Sequence, residues 1–335
     1  MPASIAHILL SRKVRESLQP VENFKDLNDC LEAHKNYMDL GSLGPDLPYY
    51  ESMVRQGFNL LMDRSDKPMG VDQWSYQLHS KDPNVFPLKL IEIAWRESNP
   101  EIVEYWEEDD QQKFAFACGF LTHIAADQII HPLVNKIAGP YYKAGDHREV
   151  HRECEVYQDV VIYRKLNDNR SLMDEKPNAW CDLNPGWGEN TPVWFRYFLQ
   201  KAFVEAHAIM PGEDNIEDWV DGLLFTLRGL NNFGPYVKAD RDYASYGEGS
   251  ANFKKFYGDP GYEMVFQKAV DLALIYVKTV FALYDIYNLS DDERTFFLEV
   301  VQNADLSAPL QKDIFDKAKE RFEQGVSAKV AGQPL

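Results

Sequence analysis

Along much of the chain, apolar residues return every three or four positions, the repeat that places them on one face of an α-helix. "EMVFQKAVDLALIYVKTVFALYDIY" (263–287) sustains it for about seven turns, and "DWVDGLLFTLRGL" (218–230) over a shorter span. Both read as core helices. "SIAHILLSRKVRESL" opens with a serine placed to cap its first turn. "SAPLQKDIFDKAKERFEQGVSAKV" carries a serine and then an early proline, with its end expected near Gly325. Runs of strict alternation are few, so the predicted fold class is all-α, a multi-helix domain with long loops.

The expected loops are the polar or Gly/Pro-rich segments 40–50, 173–192 and 232–261, of the kind that line or cover a site. No repeat, low-complexity tract or composition shift marks a linker. Residues 1–335 therefore read as a single α-helical domain, with C-terminal helices over 218–330 packing on the rest.

One apolar run carries residues its pattern does not explain. In "FACGFLTHIAADQIIHPLV" (116–134), His123, Asp127 and His131 stand four apart. At 100° per residue they fall within about 80° of one another, on one face over two turns. A buried helix with satisfied polar residues and a ligand-bearing wall are equally good readings of this run. In "DHREVHRECEVYQD" (146–159), His147, His151, Glu155 and Asp159 repeat the spacing, and Arg148, Glu149, Arg152 and Glu153 around them favour a solvated face. Pairing changes the balance. Four of the eight histidines lie on these two stripes. Imidazole with carboxylate on facing helices is how a helical domain builds a zinc or two-metal site. A donor set without thiolate suits Zn²⁺ and also admits Mn²⁺ or Fe²⁺.

The chain has 335 residues, 45% of them hydrophobic and 13% aromatic, enough for a large core. No stretch reaches 18 uncharged apolar residues, so no membrane span is expected. At the N-terminus the few apolar residues precede the basic ones without a small-residue cleavage site, which points to a cytoplasmic location. Four scattered cysteines form no CxxC pair and read as reduced and structural. With 35 basic against 53 acidic residues the net charge is −18, with acids clustered in "YWEEDD" and "LSDDE". Such a field argues against long nucleic acids and anionic bilayers as partners. An anionic substrate then needs local positive charge, which bound cations supply.

"GFLTHIAADQIIHP" followed by HxxxE resembles the zinc-dependent phospholipase C family, itself similar to the single-strand-specific P1/S1 nucleases and to the catalytic region of glycosylphosphatidylinositol-specific phospholipase D. "SIAHILLSRKV" resembles the family's opening His-bearing helix, "LGSLGPDLPYY" its Gly-Pro-Asp loop, and "WSYQLHSKDPNVFPLKLI" the segment with a further His ligand. The likeness is strongest over 1–165.

The resemblance implies an all-helical fold around three zinc ions. Asp46, His79, His123 and Asp127 would hold one, with Asp127 bridging to a second that also takes His7. His131, His151 and Glu155 would hold the third, with His147 as the rival for the place of His151, and Asp159 either supporting the ligands or solvated. Secreted relatives complete the His7 site with a processed amino terminus. Here Pro2 is the candidate once Met1 is removed, and otherwise two ions are expected. The implied reaction is phosphodiester hydrolysis, in which a metal-bound hydroxide attacks phosphorus and Asp46 takes the proton. A phospholipid or a small phosphodiester is the expected substrate. A P1/S1-like nuclease and a non-catalytic metal-binding scaffold are the alternatives. Tyr49, Tyr50, Trp74, Tyr76, Tyr141 and Tyr142 lie where aromatics would face a choline cation or a base, or simply fill the core.

Overall fold

The run around His123 lies inside the longest helix among the described residues, 31 residues from Glu108 to Ala138. Between Phe114 and Ile130 every one of its side chains is buried, so this helix is enclosed on all sides. Three acids in its first turn complement the helix dipole, and Gly139, at φ 83°, closes it in the left-handed region that glycine adopts without strain. The computed structural model describes residues 4–18, 25–51, 73–97, 107–139, 145–183, 191–258, 261–283, 289–303 and 313–330.

Among them are fourteen α-helices and no strand. In chain order these are α1 (Ser4–Leu18), α2 (Lys25–Ala33), α3 (Lys35–Gly41), α4 (Gln73–Ser80), α5 (Val85–Glu97), α6 (Glu108–Ala138), α7 (Gly145–Leu166), α8 (Val193–His207), α9 (Glu213–Gly229), α10 (Gly234–Tyr246), α11 (Ala251–Tyr257), α12 (Tyr262–Leu283), α13 (Asp291–Val300) and α14 (Ile314–Val330). The all-α expectation holds. Helix α6 is the axis of the fold, with α12, α3, α5, α7 and α1 packed around it. One cluster of buried apolar residues extends from Ile5 to Ala318.

Two glycines set the tightest crossing. A Cβ on Gly119 would lie 2.1 Å from the Met38 carbonyl oxygen, and one on Gly41 would lie 2.2 Å from that of Phe116. Only hydrogen fits at this crossing, so α3 meets α6 backbone to backbone. The chain leaving α3 is thereby laid directly over His123.

Several expected loops are structured. Residues 44–50 form a 3₁₀ turn with Pro45 at its start, and 173–192 contains the short 3₁₀ turn Pro177–Trp180. Most of 232–261 is helical, as α10 and α11, because Gly234, Pro235, Gly247 and Gly258 sit at helix ends. Pro235 occupies the first turn of α10, and Gly247 (φ 55°) and Gly258 (φ 79°) follow the last residues of α10 and α11. The last helix does not stop at Gly325 but runs on to Val330. A Cβ there would lie 2.1 Å from the Phe296 ring, so Gly325 is a packing glycine inside a helix. The segment 263–287 is helical to Leu283, and residues 284–288 lie outside the described ones. No helix among the described residues is long and apolar enough to cross a membrane.

The C-terminal helices reach the site region. A Cβ on Gly222 of α9 would lie 2.0 Å from the Tyr50 carbonyl oxygen, and Asn215 Nδ2 donates to Glu51 Oε1 at 3.1 Å. Helix α9 thus clamps the far end of the Gly44–Tyr50 turn.

Candidate metal centre

Five segments converge on the His123 stripe: α1 with His7, the Gly44–Tyr50 turn with Asp46, α4 with His79, α6 with His123, Asp127 and His131, and α7 with His151 and Glu155. Asp127 lies at their centre. Its Oδ1 is 3.4 Å from His7 Nε2 and 3.3 Å from His131 Nε2, while its Oδ2 is 3.2 Å from His123 Nε2 and 3.7 Å from His79 Nε2. His79 Nε2 also lies 3.2 Å from Asp46 Oδ1. On the other side, Glu155 Oε1 is 3.1 Å from His151 Nε2 and 3.9 Å from His131 Nε2. Three donor groups result: His7/Asp46/His123, His79/His123/Asp127 and His131/His151/Glu155. Each has its ligand atoms within 4.8 Å of one another.

Burial makes this arrangement costly unless something binds it. All eight residues except His131 are buried, and His131 is 21% exposed at the side chain. Buried Asp46 Oδ2, Asp127 Oδ1, His123 Nε2 and His7 Nδ1 have no hydrogen-bond partner among the described residues. A folded protein rarely leaves such atoms unpaired without an occupant. Ring orientation points the same way. The His123 Nδ1–H donates to the Ser42 carbonyl at 2.9 Å, and that of His79 to the Ser75 carbonyl at 2.8 Å. A carbonyl only accepts, so Nδ1 carries a proton in each ring and Nε2, the atom left to bind a metal, faces the cluster, as metal-bound histidines are held. The Ser75 hydroxyl also donates to the Pro45 carbonyl at 3.1 Å, joining α4 to the Asp46 turn.

The charges compensate one another. Burial would raise the Asp127 carboxyl, but His131 and His123 hold it well below the usual carboxylate range, and Asp46 and Glu155 are lowered in the same manner by His123 and His151. Burial, helped by His123, pushes His7 down to about 4. Burial works against the charged form of His131, yet Asp127 and Glu155 raise it to about 9. A ring with that value is protonated at pH 7.5 and must lose its proton to bind a cation. Zinc binding at pH 7.5 is therefore expected to release about one proton or more per chain, read by calorimetry as a heat that varies with the buffer's ionisation enthalpy. A heat independent of buffer would contradict it.

His147 is not in the cluster. It packs against Gly139, where a Cβ would come within 2.7 Å of its Nδ1, and the third group is made with His151 instead. His34 pairs with Gln111 at 3.0 Å, and His207 stacks on Phe86 with ring centres 5.9 Å apart. Asp159 is neither a donor to these groups nor solvated. It is fully buried, accepting the Ala6 and Ile5 amides at 2.7 and 3.3 Å and the Tyr236 hydroxyl. The expectation that Asp159 supports the ligands or is solvated did not include these partners, nor were the roles of Ser42 and Ser75 foreseen; only the i−4 spacing of Ser75 from His79 hints at the last. Of the aromatics, Tyr49 approaches His79 with ring centres 5.8 Å apart. Tyr50 is fully buried, its hydroxyl 2.6 Å from the Ser4 hydroxyl, and Trp74 packs on Phe203 and Trp219. Tyr76 is 52% exposed. Tyr141, Tyr142, Met1 and Pro2 lie outside the described residues.

The sequence model described as zinc dependent phospholipase C matches residues 6–202, from before His7 to well beyond Glu155. The chain belongs to the zinc-dependent phospholipase C family. No curated protein and no solved structure gives a significant match. Membership in this family identifies the chain at the level of a zinc-dependent phosphodiester hydrolase, and the three His/carboxylate groups suit the ion for which the family is named.

Proposed function

We propose that this family member hydrolyses a phospholipid or a small soluble phosphodiester in the cytoplasm. In this reading His7, Asp46, His79, His123, Asp127, His131, His151 and Glu155 hold two or three zinc ions. The observation that carries it is the convergence of these residues, from five segments, on one buried carboxylate, Asp127. When bound, zinc supplies an activated water near neutral pH and positive charge for the phosphoryl group. The chain's residues do the rest. Asp127 and the imidazoles around it fix the donor positions, and the Ser42 and Ser75 carbonyls keep the His123 and His79 lone pairs turned inward. Asp46 presents an unpartnered Oδ2 that accepts the proton of the attacking water. A net charge of −18 favours compact substrates over long polynucleotides.

The test is elemental analysis together with turnover of bis(p-nitrophenyl) phosphate and a short-chain phospholipid before and after chelation. Metal-replete protein lacking chelator-sensitive turnover on every phosphodiester would overturn the proposal. His123→Ala separates catalysis from scaffolding: a folded, inactive protein is expected, whereas a purely structural site predicts unfolding.

A further inference from the structure

We propose that Asp159, held by Tyr236, is a positioning residue that sets His7 in the metal centre. The inference rests on the ligand role given above to His7, Asp127 and His123. Asp159 is fully buried and contributes to none of the three donor groups. Its Oδ1 accepts the Ala6 amide at 2.7 Å, and its Oδ2 accepts the Ile5 amide at 3.3 Å and the Tyr236 hydroxyl. Ile5 and Ala6 belong to the first turn of α1, whose amides have no partner within the helix and must find one elsewhere. The very next residue is His7.

Two amides gripped by one carboxylate fix both the rotation and the axial position of that turn. They thereby fix where the His7 ring lies, stacked on His123 with ring centres 4.2 Å apart and with Nε2 3.4 Å from Asp127 Oδ1. The anchor is not independent of the site. Asp159 follows His151 and Glu155 at the same spacing of four on α7, so one helix face carries part of the third donor group and, one turn on, the clamp for His7. The separation between His7 and the His131/His151/Glu155 group is thus set by α7. Tyr236 comes from α10, beyond the residues matched by the family model, and supplies the donor that holds the carboxylate in place. A buried carboxyl is an expensive way to cap a helix, and burial pushes this one up to about 7. A plain cap would be served by an exposed serine or asparagine.

Two near-isosteric variants test the proposal: Asp159→Asn, which removes the carboxylate, and Tyr236→Phe, which removes its donor. Histidine-selective ¹⁵N NMR of the full chain without metal reads the His7 ring directly, and zinc titration reads binding. The expected result is a displaced or broadened His7 signal with His34 and His207 unchanged, and zinc affinity at one site lowered about tenfold to a hundredfold, with the remaining zinc retained. A lowered melting temperature with His7 signals and zinc affinity at wild-type values in both folded variants would reduce Asp159 to an ordinary cap and overturn the proposal. If the wild-type chain binds no zinc, the proposed function fails on that ground, and the His7 signals alone decide the positioning role.

Discussion

Asp127→Ala is expected to lower phosphodiesterase turnover by at least about a thousandfold, a loss of about 4 kcal/mol of transition-state stabilisation, while the chain stays folded. Both carboxylate oxygens lie within 3.7 Å of imidazole nitrogens, two per oxygen, so no other side chain in the cluster touches as many of its members. Removing it takes the carboxylate from the His79/His123/Asp127 group and the neighbour of His7 and His131 from the other two. It also removes the anion that keeps His131 charged in the metal-free protein. The His131 ring can then discharge, which limits the stability loss to less than that of breaking a buried pair whose partner cannot titrate. Two measurements follow. Zinc content should fall, and the protons released per zinc bound should fall with it. A folded Asp127→Ala protein with wild-type turnover would remove Asp127 from the chemistry altogether.

Gly119→Ala is expected to cost about 3 kcal/mol of stability and to lower the melting temperature by about 5 °C. The added carbon would meet the Met38 carbonyl oxygen at 2.1 Å and the Gly41 Cα at 2.9 Å, both backbone atoms that no rotamer change can move. Helices α3 and α6 must separate. Because Ser42 immediately follows α3, its carbonyl would leave the His123 Nδ1–H, so zinc affinity should fall with stability. Gly229→Ala is the control. No atom lies within 4 Å of its Cβ position and its φ of −83° suits alanine, so stability should be unchanged or slightly raised. Equal losses in the two variants would show that the crossing is not tight.

The two stripes were legible because ligand-type residues at a spacing of four on an apolar run are hard to explain by packing alone, and both became helix faces that meet. His7, Asp46 and His79 were different. Each stands alone in its segment, and only likeness to a family singled them out. Pattern reading failed where a single residue serves two masters. Gly325 looks like a stop and instead gives Phe296 room, and the glycines of 232–261 look like loop but punctuate short helices. Asp159 stood out as a support for the ligands or a solvated residue, but its partners are backbone amides more than 150 residues away, which no spacing rule reveals.

That distance has a consequence for how the protein acquires its metal. The two amides in the first turn of α1 are separated from their carboxylate by 153 and 154 residues, and Tyr236 is a further 77 beyond it. During synthesis His7 leaves the ribosome first and waits for two thirds of the chain to follow. Contacts of such long range form late in folding. Zinc uptake at full affinity should therefore be a post-translational event, and nascent chains arrested before residue 236 should hold their first histidine ready but unplaced.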